Sequence, residues 1–152
     1  MQTLRIDTFH IVGIEIRTTN VENKGADEIA AMWGRFLSEG LLQKIPNKVD
    51  DTIYSLYTEY ENDHTGAYTA VLGCKVANTD TVPEDMVCKR IDGGNFAKLS
   101  AKGDLTQGLI ANKWSEIWEM DLKRTYTSDY EVFGEKAGNP ADAEVDFLIA
   151  VE

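Results

Sequence analysis

Residues 29–37 (IAAMWGRFL) return later in the chain as residues 110–118 (IANKWSEIW). In the first copy Ile29, Met32, Trp33, Phe36 and Leu37 recur at i, i+3, i+4, i+7 and i+8, which is one apolar stripe along a helix. In the second copy Ile110, Trp114, Ile117 and Trp118 draw the same stripe. An apolar strand precedes each copy and two strand-like runs follow it. The pattern predicts one supersecondary unit used twice, and two such units packed about a pseudo-twofold axis leave a cleft between them, where a ligand would sit.

Working outward from the first helix, residues 6–18 (IDTFHIVGIEIRT) are β-branched and aromatic with partial alternation, as a strand with one buried face reads. Residues 20–25 form a turn, and Gly40 is a plausible helix stop. Residues 53–60 (IYSLYTEY) and 68–77 (YTAVLGCKVA), joined by the loop 61–66 (ENDHTG), read as a hairpin. Around the second helix, residues 86–91 and 96–100 flank Gly93-Gly94 and read as one strand broken by a bulge or bend. Asp104 with Gln107 makes a capping box ahead of the helix. Residues 126–133 (YTSDYEVF) and 145–151 (VDFLIAV) are the last two strands, joined by a loose turn over 135–143. The expected fold is α+β: tandem β-α-β-β repeats, about 4–78 and about 84–152, in a single domain over 1–152, with an antiparallel sheet and two helices flanking the cleft.

Composition excludes several classes of function. A chain of 152 residues with 43% apolar content is long enough to bury a core of its own. It contains no apolar run of membrane-spanning length, and the opening MQTLRIDTFH has no signal-peptide core, so the reading is a soluble cytoplasmic protein. Cys74 and Cys88 lie in separate strand-like runs, as reduced thiols do. The net charge of −11 argues against direct contact with nucleic acid or an anionic membrane and favours, weakly, a cationic ligand. His10 and His64 form no compact metal set, and His64 in ENDHTG reads as an exposed turn residue. Phosphate-loop, dinucleotide and nucleophile-elbow motifs are absent from the sequence, and the residues call for no cofactor.

With the residues laid out this way, the chain resembles the gyrase-inhibitor-like family, which includes the effector-binding domains of multidrug-responsive transcriptional regulators. The resemblance spans essentially the full length. It is carried by FHIVGIEIRTTN, the Trp33-centred helix, IYSLYTEYENDHTGAYTAVLG, the turn Gly94-Asn95-Phe96-Ala97 with Gly103, the Trp114-centred helix and RTYTSDYEVF. It implies a cleft that takes cationic, aromatic, amphipathic molecules, with a buried glutamate facing the positive charge. The family glutamate falls in the motif Asp129-Tyr130-Glu131-Val132-Phe133, so Glu131 is the implied counter-ion. A branch of the family resembles hydrolases that open cyclopropane-containing toxins with a cleft glutamate. The DNA-binding module of the regulator members is not in this sequence, and a protein partner such as gyrase is a third reading.

The residues alone leave alternatives open. Glu131 shares a strand face with Asp129 and Phe133, but glutamates on antiparallel strands are commonly solvated on the outer face. Glu15, Glu59 and Glu61 also lie in or beside strands. Trp33 and Trp114 read more readily as core than as ligand platforms. Trp118 replaces Leu37 of the first copy and is the better candidate for a cleft wall, with Tyr57, Tyr126 and Phe133 as further ligand contacts. In the enzymatic reading, Glu131 and a tyrosine such as Tyr126 would position water against a strained electrophile.

Overall fold

The β-branched and aromatic runs become eight strands in the computed structural model, which describes residues 2–152. They are β1 (Gln2–Ile6), β2 (Phe9–Thr19), β3 (Ile53–Thr58), β4 (Ala67–Val76), β5 (Val87–Ile91), β6 (Gly94–Gly103), β7 (Arg124–Phe133) and β8 (Ala143–Val151). The α-helices are α1 (Lys24–Ser38), the single turn α2 (Leu41–Lys44) and α3 (Leu109–Glu119). All strands join one antiparallel sheet in the order β1-β6-β8-β7-β3-β4-β2-β5. Exchanging β1 with β5, β2 with β6, β3 with β7 and β4 with β8 returns the same order reversed, which is the signature of a twofold through the β3–β7 pair. At the centre of that pair Ser55 lies opposite Glu131.

One expectation needs correcting. Residues 86–100 do not form one interrupted strand: β5 pairs with β2 at one sheet edge, whereas β6 lies between β1 and β8 in the other half. The first half likewise opens on β1, an exposed edge strand separated from β2 at Asp7-Thr8, so each half is β-β-α-β-β and donates its first strand to the other. The corner at Gly93 fixes this exchange. Gly93 N–H donates to Thr8 Oγ1 at 2.8 Å, and a Cβ at Gly93 would stand 2.7 Å from the carbonyl oxygen of Ile6. The two strand connections therefore pass in direct backbone contact, where only glycine fits.

Both helices lie on one face of the sheet. Met32 and Phe36 of α1 pack on Val12, Ile14 and Leu72, and Ile117 of α3 packs on Val145, Phe147 and Ile149. Full burial of Phe36 and Ile117 stabilises the fold by about 1.5–3 kcal/mol each. On the other face, Phe9 from β2 and Phe96 from β6 both meet the ring of Tyr130 on β7, at 5.5 and 5.7 Å between centroids. In a flat sheet those strands would stand roughly 14 and 10 Å from β7, so the sheet curls strongly around this second core.

Local signals act as their chemistry suggests. Gly40, at φ 62°, ends the first helical run in the left-handed region. Asp104 caps, but its carboxylate accepts from Thr106 N–H and closes a 3₁₀ turn over Leu105–Gln107 before α3 begins. Cys74 and Cys88 are free, and they flank Val12 across β2 on opposite sides. Among the described residues no helix is long and apolar enough to cross a membrane.

Candidate ligand-binding site

Because α1 and α3 lie apart on the sheet, they leave a cavity of about 880 Å³ above the central strands. Ile29, Trp33 and Leu37 form one wall, and Ile110, Trp114 and Trp118, at the matching positions of the second copy, form the other. The floor is Tyr57 of β3 with Glu131 and Phe133 of β7. The aromatic contacts cross between the halves. Trp114 packs edge-on against Tyr57 at 5.3 Å, and Trp33 packs edge-on against Phe133 at 4.8 Å.

Glu131 sits at the pseudo-twofold between these two aromatic pairs. Its partner across the β3–β7 pair is Ser55, so the axis carries one carboxylate instead of two like charges side by side. The side chain is almost fully buried. Tyr57 hydroxyl donates to Oε2 at 2.6 Å and Trp114 Nε1–H donates to the same oxygen at 2.5 Å, one donor from each half of the fold. Oε1 has no hydrogen-bond partner among the described residues and belongs to a cavity-lining side chain. No cationic side chain of the described residues pairs with this carboxylate. Burial raises its pKa to about 7, against the opposing pull of the Tyr57 and Trp114 donors. Tyr57 is itself held well above 10 by burial and the neighbouring acid, so its hydroxyl remains a donor.

A second buried acid lies two residues away. Asp129 accepts from Arg124 Nη2 at 2.7 Å, from Tyr60 hydroxyl at 2.6 Å and from Ala150 N–H at 2.9 Å. The Arg124 guanidinium stands 4.4 Å from the ring centroid of Tyr126 and 5.9 Å from that of Trp114. A bulge in β7 brings Arg124 to this position: its pairing with β8 shifts register between Arg124 and Asp129, and Tyr126 within it has φ 56°.

The structure brings Glu131, Tyr57, Phe133 and Trp118 together around the cavity, with Trp118 at the mouth and 38% exposed. Tyr126 is placed elsewhere. It is not among the lining residues and holds Arg124, so the tyrosine bonded to Glu131 is Tyr57. Glu15 and Glu59 are tied to Lys89 at the surface, and Glu61 is exposed. Sequence reading underrated Trp114, whose indole N–H fixes Glu131, and Tyr60 and Tyr68, which line the cavity. It also placed His64 in solvent, whereas His64 is half-buried, lines the cavity and stacks on Trp118 with centroids 5.2 Å apart and planes 11° apart. The stripe position of Trp114 signalled core burial, and no local pattern assigned its indole N–H to a carboxylate.

Comparison with known proteins places the chain. The family model described as Cass2, integron-associated effector binding protein, matches residues 4–151. The Bacillus subtilis (strain 168) protein YobU, whose name proposes a role in transcriptional regulation, is 24% identical over 97% of this chain and 94% of its own length. An integron cassette protein from the mobile metagenome of Vibrio cholerae superposes with a TM-score of 0.76 at 28% identity, over 99% of this chain and 95% of that one. The structure of SAV2435 bound to tetraphenylphosphonium superposes with a TM-score of 0.82 at 14% identity, over 99% and 93% of the two chains, a likeness of fold.

Proposed function

The chain belongs to this family of integron-associated effector-binding proteins, with the gyrase-inhibitor-like fold, and we propose that its effector is a cationic aromatic molecule held in the cleft by Glu131. The observation that carries this reading is the free Oε1 of a buried carboxylate without a cationic partner, framed by two pairs of aromatic rings. Leaving such a group buried is costly, and a diffuse organic cation supplies the charge without the strong hydration that a small ion would lose. Each ring face presented to that cation adds roughly 0.5–2 kcal/mol. The tetraphenylphosphonium bound to SAV2435, on a similar fold, supports a ligand of this chemistry.

Tryptophan fluorescence tests the reading by titrating tetraphenylphosphonium and the neutral triphenylphosphine oxide into the wild type and Glu131→Gln. The cation binds to the ionised acid, so its affinity is full above pH 7 and falls about tenfold per unit below. At pH 8 the variant is expected to lose at least tenfold in affinity for the cation and to bind the neutral compound unchanged. Equal cation affinity in both proteins would overturn the assignment.

A further inference from the structure

The two ends of the cleft differ chemically although the fold relates them. Around Trp33 and Phe133 the walls are apolar: Leu37, Ile53, Ala137 and Pro140. Around Trp114 and Trp118 the lining includes Asn20, Asn23, Tyr60, His64 and Tyr68. We propose that the ligand carries its charge between two aromatic lobes, one purely apolar against Trp33 and Phe133, the other bearing an uncharged hydrogen-bonding group that His64 recognises. This rests on Glu131 as the counter-ion, and adds a specificity-determining residue and a second feature of the ligand.

Two sets of observations support it. First, Glu131 lies between the Trp33–Phe133 and Trp114–Tyr57 pairs, so a charge at Oε1 has an aromatic subsite on either side. A ligand charged at one end would fill only one of them. Second, the polar end holds an imidazole that lines the cavity and stacks on Trp118. Neither ring nitrogen of His64 makes a hydrogen bond among the described residues; Nδ1 is shut off from the surface, so Nε2 is the nitrogen within reach of a ligand in the cavity. A ligand hydroxyl or amide that bonds Nε2 adds one hydrogen bond at this end of the cleft. Burial, then the nearby Arg124 guanidinium, holds the imidazole pKa below its ordinary value, so at neutral pH the ring offers one donor and one acceptor. A ligand hydroxyl, which both donates and accepts, suits Nε2 in either neutral tautomer.

His64 is also held in place. Asn20 Nδ2–H donates to the His64 carbonyl at 3.0 Å, while Asn20 Oδ1 accepts from Tyr68 hydroxyl at 2.7 Å. Gly25 makes room for this latch, since a Cβ there would come within 2.5 Å of the Tyr68 hydroxyl. Asp63 closes the turn by accepting from Thr65 N–H at 2.8 Å, and Glu61 N–H donates to the Ala67 carbonyl at 2.8 Å. With the backbone pinned on one side and the ring stacked on Trp118 on the other, the imidazole is presented to the cavity as a preorganised group.

The test compares three phosphonium cations: tetraphenylphosphonium, its 4-ethylphenyl derivative and the nearly isosteric 4-(hydroxymethyl)phenyl derivative. In the wild type the hydroxymethyl compound is expected to bind about fivefold tighter than the ethyl compound, the value of one hydrogen bond. In His64→Phe, which keeps a ring on Trp118 but drops both nitrogens, that ratio falls to one or below. A wild-type ratio of one or less, or a ratio that survives in His64→Phe, overturns the proposal. Glu131→Gln separates the two readings because it weakens all three cations together. If it weakens none, the counter-ion assignment fails whatever His64 does.

Discussion

Asp129 and Glu131 stand two residues apart on one face of β7, with 0% and 1% of their surface exposed, yet the protein treats them in opposite ways. Asp129 is complete: it has a guanidinium, a phenol hydroxyl and a backbone N–H, and its cation is in turn packed against the rings of Tyr126 and Trp114. Glu131 has two donors, both on one oxygen, and no cation. A planar delocalised cation between a carboxylate and aromatic rings is therefore already built once into the chain, at Asp129. The adjacent acid has the carboxylate and the rings, and lacks only the cation. Burial alone does not tell a structural acid from a binding one; the number and sign of its partners does.

The largest expected effect breaks the complete side. Asp129→Asn leaves the Arg124 guanidinium buried without its counter-charge, and removing one member of a buried pair destabilises by about 3–5 kcal/mol. Urea unfolding at pH 7 measures it. A loss below about 1 kcal/mol would mean that Arg124 finds another partner and that the contrast between the acids is smaller than the geometry implies.

Glu131→Gln moves stability the other way. The native acid has its pKa near 7, against 4.5 for an unperturbed glutamate, so between those values the folded state holds more protons than the unfolded one. Stability from this group is accordingly highest below pH 4.5, declines as pH rises and is lost above 7, a difference of about 3 kcal/mol. Glutamine keeps the shape and an oxygen for Tyr57 and Trp114 but carries no charge. The variant is expected to match the wild type at pH 4 and to exceed it by about 3 kcal/mol at pH 8. On the proposed reading it gains stability at the pH where it is expected to lose cation affinity, the exchange expected of a binding site. Equal stability at both pH values would place Glu131 with Asp129 as a satisfied structural acid.

Much of this arrangement is legible in the sequence because it depends on period. The i, i+3, i+4 stripe locates both helices, and alternation along 129–133 puts Asp129, Glu131 and Phe133 on one face. Other features depend on contacts between distant segments. Gly93-Gly94 signals a bend, but not that the strands on either side of it go to opposite halves of the sheet, which the contact of Gly93 with Ile6 and Thr8 decides. β1 alternates weakly and is largely exposed, so it gives little hydrophobic signal. His64 sits in a run of turn-forming residues, and its burial comes from Trp118, far along the chain. Arg124 reaches Asp129 only through a shift of register, which side-chain alternation does not encode.

The smallest expected effect falls on Tyr126, and it sharpens the comparison most finely. Tyr126 is aromatic, close to Glu131 in sequence and on the same strand, all of which suggest a ligand contact; its ring instead covers the guanidinium that serves Asp129. Tyr126→Leu keeps an apolar side chain at that position and removes the ring face. The expected cost is about 0.5–1 kcal/mol of stability in urea unfolding, the value of one partly solvated cation–π contact. Tetraphenylphosphonium affinity should stay within twofold, because the ring holds the protein's own cation and not the ligand's. The opposite result, a tenfold loss of affinity with stability unchanged, would put Tyr126 on the ligand and make the two acids parts of one binding site.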